Sequence, residues 1–199
     1  IVFVLVRVLS SARARAEARA AAMTIDLREK SAALERLALM DPLTGLPNRR
    51  LFYDRLHQAM LAHRRHPTRR FALLFIDLDG FKQVNDVHGH AVGDALLMEI
   101  ARRLRAAVRA SDSVTRDVDG NTTARIGGDE FVVLLQDMSR DDDAMIVASR
   151  LLAVLREPLT IAGAPIVPGA SIGIVRAADA YEDVEHLLRD ADYAMYRAK

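Results

Sequence analysis

Hydrophobic residues fall along this chain in three regimes. Residues 1–9, IVFVLVRVL, form an apolar run broken only by Arg7. From Ser11 to about Met40 the chain is rich in alanine, arginine, glutamate and leucine and holds neither proline nor glycine, which predicts one continuous helix. Ala20, Leu27 and Leu34 share one heptad position and Met23, Lys30 and Leu37 the other, a pattern for a short parallel coiled coil whose seam Lys30 weakens. The alternative is a helix packed on its own domain. Beyond Asp41, continuous apolar runs alternate with stretches of helical period.

MDPLTGLPNRR interrupts the first helix with Pro42, Gly45 and Pro47, and Asn48 is suited to cap the next. Phe52, Leu56, Ala59 and Met60 give that helix its apolar face, and it ends in the basic loop HRRHPTRR. FALLFIDLD, residues 71–79, has the pattern of a strand buried on both faces. Leu97, Ile100, Ala101, Leu104 and Val108 mark a helix running to about Ala110. SVTRDVDGNTTARI reads as a polar strand pair turning at Asp119 and Gly120, and EFVVLLQ as the next buried strand. DDDAMIVASRLLAVLRE opens a helix with acids, LTIAGAPIV is a hairpin turning near Gly163, and ASIGIVRA is a further buried strand. The last helix carries Val184, Leu187, Leu188, Ala191, Met195 and Ala198 on one stripe. Strands alternating with helices and hairpins predict an α/β domain with a mixed central sheet flanked by helices.

Composition narrows the function. The 199 residues fit one ordinary domain with something attached, and a 51% hydrophobic share supports a packed interior. A net charge of +1, with four tyrosines, six phenylalanines and no tryptophan, gives no broad basic and aromatic surface, so a nucleic-acid partner is not expected. The absence of cysteine excludes disulfides, thiolate catalysis and sulfur-ligated zinc. The six histidines have no metal-ligand spacing. The apolar run at the start is shorter than the ~20 residues that cross a bilayer. Followed by Arg13, Arg15 and Arg19, with Glu17 the one early acid, it reads as the end of a membrane helix entering the cytoplasm. The alternative is a buried or frayed helix start.

Three acid-bearing turns carry the candidate chemistry: FIDLDGFKQVND, GHAVGD and RIGGDEF. Asp77 lies near the end of its strand, and Asp129 and Glu130 follow the pair Gly127 and Gly128. If the two strands are neighbours, Asp77 and Asp129 converge at one end of the sheet, where an all-oxygen donor set suits magnesium or manganese completed by substrate phosphates. The glycines allow a tight turn and a ligand close to the backbone, though a glycine pair alone is no more than a hairpin turn. Lys82 is placed to meet a phosphate. Asn85 and Asp94 offer the amide and carboxylate that a guanine edge could use. A surface lysine and helix caps are the plainer readings of these three.

DPLTGLPNRR, FIDLDGFKQVNDVHGHAVGD, RIGGDEF and ADYAMYRAK resemble the successive motifs of the GGDEF diguanylate cyclase family, over roughly residues 41–199. The resemblance implies a fold like the nucleotidyl cyclase and polymerase palm, and an enzyme joining two GTP molecules into cyclic di-GMP in a homodimer. It makes Asp77, the Leu78 carbonyl and Asp129 ligands of Mg²⁺ or Mn²⁺, with Glu130 close by. It gives guanine to Asn85 and Asp94, and phosphates to Lys82, Lys199 and the backbone near Gly80 and Phe81. Residues 1–10 would then be the end of a transmembrane helix, 11–40 a signalling linker, and 41–199 a cytoplasmic domain of an inner-membrane protein. The rival is a catalytically silent GTP-binding module controlling an adjoining domain, such as an EAL phosphodiesterase beyond Lys199; a third reading is a dimerising signal relay. Two departures stand out. RASD, Arg109 to Asp112, matches the family's inhibitory product pattern RxxD but is separated from the glycine pair by the extra stretch DVDGNTTAR. The chain also stops at Lys199, where family members usually continue with another basic phosphate contact.

Overall fold

The computed structural model describes residues 23–27, 30, 34, 37–109, 120–140, 142–176 and 181–199. The chain divides into two units, residues 1–38 and 39–199. In the first, the described residues are helical, and Met23, Leu27, Leu34 and Leu37 are exposed. The apolar run at residues 1–10 lies outside the described residues. Among those described, no helix is long and apolar enough to cross a membrane.

The second unit is built from α1 (Arg49–Arg65), β1 (Arg70–Asp79), α2 (Phe81–His88), α3 (His90–Arg109), β2 (Thr122–Gly127), β3 (Glu130–Met138), α4 (Asp143–Leu155), β4 (Leu159–Ile161), β5 (Ala164–Ile166), β6 (Gly169–Arg176) and α5 (Val184–Ala198). Asn48 caps α1 as expected, its Oδ1 accepting from the Leu51 amide at 3.1 Å. β1 sits at the centre of a four-stranded sheet in the order β2-β3-β1-β6. Its side chains alternate between two cores. Ala72, Leu74, Ile76 and Leu78 join a cluster with Leu97, Ile100 and Leu104 of α3 and Val147 and Leu151 of α4. Phe71, Leu73 and Phe75 face Phe52 and Leu56 of α1 and Leu187 and Ala191 of α5. Each such large apolar side chain contributes roughly 1.5–3 kcal/mol on burial. A one-residue slip of β1 would drive Asp77 into the place of a core residue, so the acids at its end help to set its register.

The α/β class with helices on both faces is as expected, with one difference. Every pairing in the sheet is antiparallel, where a mixed sheet was predicted. The reason is interleaving. The α2–α3 crossover brings β2 back in the direction of β1, but β3 turns through a hairpin and fits between them. The crossover through α4 likewise brings β6 back along β3, with β1 between. Parallel strands therefore never touch, as in the split β-α-β plan.

Smaller expectations also shift. GHAVGD, read as a turn, is helical after its first residue: α3 begins at His90, directly after the short α2, which is capped at Gly89. Ala198 is exposed, because α5 outruns the sheet that its stripe covers. β6 is only partly buried, since it is an edge strand. The hairpin at Gly163 forms, with positive φ at Ala162 (49°) and Gly163 (82°), as a tight two-residue turn requires. Of the strand pair expected at 113–126, β2 forms and pairs with β3, while residues 110–119 lie outside the described residues.

Candidate active site

The end of β1 lies between two neighbours. Asp77 stands opposite Glu130 of β3 on one side and Ser171 of β6 on the other. The expected adjacency of the strands carrying Asp77 and Asp129 is therefore met. The glycine pair forms the β2–β3 turn: Gly128 takes φ 48°, left-handed backbone that a side chain would strain, and Asp129 follows it at the mouth of β3.

A brace that the motif reading missed holds this turn. Arg125 of β2 donates from Nε and Nη2 to the Gly128 carbonyl at 2.9 and 2.7 Å, and from Nη1 to the two Asp41 oxygens at 3.1 and 3.2 Å. Its own amide donates to the Pro47 carbonyl at 3.0 Å. Asp41 is in turn gripped by the Thr44 amide and hydroxyl at 2.8 and 2.6 Å. Burial pushes the Asp41 carboxyl up, but the hydrogen bonds from Thr44 and Arg125 outweigh it and hold the group below its usual range. The signal available was an arginine two residues before a glycine pair, with an aspartate in the turn at the start of the domain.

Asp77, Asp129 and Glu130 are half-buried, and the charge of Asp77 acts on both of the others. Burial first, with the charge of Asp77 adding to it, raises Asp129 above the usual aspartate range against its own amide, Lys199 and Arg125. Burial also raises Glu130, with Asp192 of α5, Asp77 and Asp129 adding and Arg49 of α1 opposing. Glu130 lines a cleft of about 380 Å³ whose walls include Arg49 and Asp192. Lys199, the last residue, places Nζ 2.6 Å from Asp77 Oδ1, and this bond raises its pKa, with Asp79 and Asp129 contributing.

Gly80 takes φ 71° and starts α2 without a side-chain cap, leaving Phe81 half-buried on the core and Lys82 exposed. Asn85 of α2 packs against buried Gly93 of α3, where its Oδ1 and Cγ occupy the space that a Cβ would need. This brings Asn85 beside the residue that precedes exposed Asp94. Leu78 is buried in the core. Arg109 is exposed at the end of α3, and Asp112 lies outside the described residues.

Among the described residues, no three His, Cys, Asp or Glu side chains form a ready-made metal cage. The donor set fits a hard divalent ion nonetheless. Asp77 already grips a cationic ammonium, and two mutually repelling carboxylates beside a backbone carbonyl are the kind of set that magnesium uses together with phosphate oxygens.

The family model described as diguanylate cyclase, GGDEF domain, matches residues 38–199. The chain is 43% identical over 192 residues to the bifunctional diguanylate cyclase/cyclic di-GMP phosphodiesterase MucR of Pseudomonas aeruginosa, covering 96% of this chain and 26% of that protein. It is 40% identical to the diguanylate cyclase TpbB of the same organism, covering 87% of this chain and 38% of TpbB. The chain thus spans well under half the length of these relatives. A solved structure of the GGDEF domain of TpbB superposes with a TM-score of 0.72 at 38% identity, covering 80% of this chain and 88% of that one. The coiled coil and GGDEF domain of DgcB from Caulobacter crescentus, solved in complex with c-di-GMP, gives a TM-score of 0.74 at 26% identity, covering 90% of each chain. From its motifs, its sheet and these relatives, the chain belongs to the diguanylate cyclase GGDEF-domain family.

Proposed function

We propose that this domain is an active diguanylate cyclase, condensing two GTP molecules into cyclic di-GMP and two pyrophosphates where two copies of the chain face each other. The observation that carries the reading is the meeting of Asp77 and Asp129 at one end of the sheet, beside Glu130 and under the Lys199 ammonium. Asp77, the Leu78 carbonyl and Asp129 would hold Mg²⁺ or Mn²⁺. When bound, the ion would orient the triphosphate and stabilise charge on the α-phosphate and the pyrophosphate leaving group. Lys82, Lys199 and the amides near Gly80 and Phe81 hold phosphates. The bare backbone at Gly127 and Gly128 lets the nucleotide lie against the turn. Asn85 donates to and accepts from guanine, while Asp94 accepts from its ring and exocyclic nitrogens. Each GTP 3′-hydroxyl attacks the α-phosphate of the other, forming one phosphodiester bond and releasing one pyrophosphate, twice per cycle. One domain presents one such site, so a homodimer is required.

In this reading, residues 1–10 anchor the domain on the cytoplasmic side of the inner membrane and residues 11–40 set how the two domains meet. Arg109 and Asp112 are an inhibitory product site only if the stretch after α3 brings them together. A second reading, a silent GTP-binding module controlling an adjoining EAL domain, is favoured by the relative NbdA of Pseudomonas aeruginosa, 36% identical over 181 residues, which is named a cyclic di-GMP phosphodiesterase alone.

The test is incubation of the purified chain with GTP and magnesium, with nucleotides separated by chromatography. Cyclic di-GMP is expected from the parent, and Asp129→Ala should lose on the order of 100-fold or more of the rate, since it removes a ligand of the ion that would offset the developing negative charge. A parent that is dimeric and binds GTP yet makes no product would decide for the silent module.

A further inference from the structure

β6 contributes no motif acid, yet it touches the acidic turn directly. In the β1–β6 register Asp77 faces Ser171 and Asp79 faces Gly169. The Ser171 hydroxyl donates to Asp79 Oδ1 at 2.9 Å. Ser171 is only 6% exposed, and a buried hydroxyl needs a partner, so this bond satisfies Ser171 while fixing the carboxylate. At Gly169 the approach is closer still. A Cβ there would stand 3.0 Å from Asp79 Cβ and 3.1 Å from Asp79 Oδ2. Asp79 therefore lies against bare β6 backbone, held by a hydroxyl from the same strand.

The position of Asp79 gives this grip a use. It is the last residue of β1, and the next is Gly80, whose left-handed φ of 71° turns the chain into α2 and Lys82. A glycine pivot permits many directions of exit, so the residue before it must be fixed if the turn is to have one geometry. Asp79 also points on the side of the sheet where Lys199 reaches Asp77, and its charge is felt by that ammonium.

We propose that Ser171 and Gly169 are positioning residues that clamp the Asp79 carboxylate, fixing the Gly80–Lys82 turn at the angle at which it meets a nucleoside triphosphate. The proposal rests on the cyclase reading for its substrate, but nucleotide binding can be measured without turnover. Ser171→Ala, Gly169→Ala and Ser171→Thr would be compared with the parent for GTP affinity with magnesium by calorimetry, for KM and kcat, and for thermal unfolding. Loss of the clamp in Ser171→Ala, or its displacement in Gly169→Ala, should raise KM and the dissociation constant about tenfold, the scale of one hydrogen bond to a charged group. kcat should change far less and Tm little, because water can reach the exposed Asp79 carboxylate. Ser171→Thr keeps the hydroxyl and should restore affinity. Unchanged affinity in both alanine variants overturns the clamp, as does a threonine variant with the parent's Tm and the alanine variant's KM. A parent that binds GTP without forming product removes the cyclase reading and leaves the clamp to stand or fall on the dissociation constants.

Discussion

Asp129 and Glu130 are both held above the usual carboxylate range, by burial first and then by the acids around them. A carboxyl whose folded pKa lies above its unfolded value binds more protons in the fold. Its contribution thus favours folding below the unfolded value and is lost as pH rises through the folded one. Asp129 therefore opposes folding at neutral pH, a conflict between stability and function common at active sites. Asp129→Asn should melt at a higher temperature than the parent at pH 7 without nucleotide or divalent metal, with the gap closing as pH falls toward the ordinary aspartate value of 3.8. Thermal melts across a pH series check this; a variant no more stable than the parent at pH 7 would show that the Arg125 and Lys199 charges already offset the burial. Asp41 behaves in the opposite sense. Its lowered pKa makes its grip on Arg125 a stabilising contribution above the usual aspartate range, lost as pH falls through its depressed folded value.

At the scale of elements, the position of Lys199 depends on how closely α5 approaches β6. A Cβ on Gly173 would collide with the Ala191 carbonyl and the backbone of Met195, so the helix rests on a strand with no side chain between. Gly173→Ala should force α5 away, costing about 1–3 kcal/mol as overpacking does. It should also weaken the reach of Lys199 to Asp77; urea denaturation reads the first effect and GTP affinity the second. This contact also shows where sequence reading stops. β1 and β3 are legible as unbroken apolar runs because both their faces are covered, and α1 because its stripe and its Asn48 cap agree. The α2–α3 break was not legible: HGHAVGD is polar and glycine-rich enough to read as a loop, while the fold uses Gly93 to admit Asn85 between two helices. Asp77 with Lys199 and Asp41 with Arg125 join residues 122 and 84 positions apart, beyond the reach of any local period. The family resemblance supplied a role for Lys199 but none for Arg125, which lies in RIGGDEF and whose role appears only once β2 and the turn at residues 41–47 are side by side.

Among the described residues of the second unit, Asp77, Asp129 and Glu130 gather at one end of the sheet, and the proposed reading gives each domain one site for one GTP. If two GTP molecules must each attack the other, a single domain can present only half of the reaction, and the working unit is a symmetric pair. A pair with one damaged site can complete neither bond productively, because the second attack needs both nucleotides held. Mixing parent with an equal amount of Asp129→Ala at constant total protein, after exchange of partners, should therefore leave about a quarter of the parent activity, the share of pairs in which both members are intact. Titrating the variant into the parent and following cyclic di-GMP gives the whole curve. A decline with the square of the parent fraction supports catalysis between copies. A straight line through half activity would mean that each domain turns over alone, and with it would go the role assigned to the helix before residue 39 in bringing two domains together.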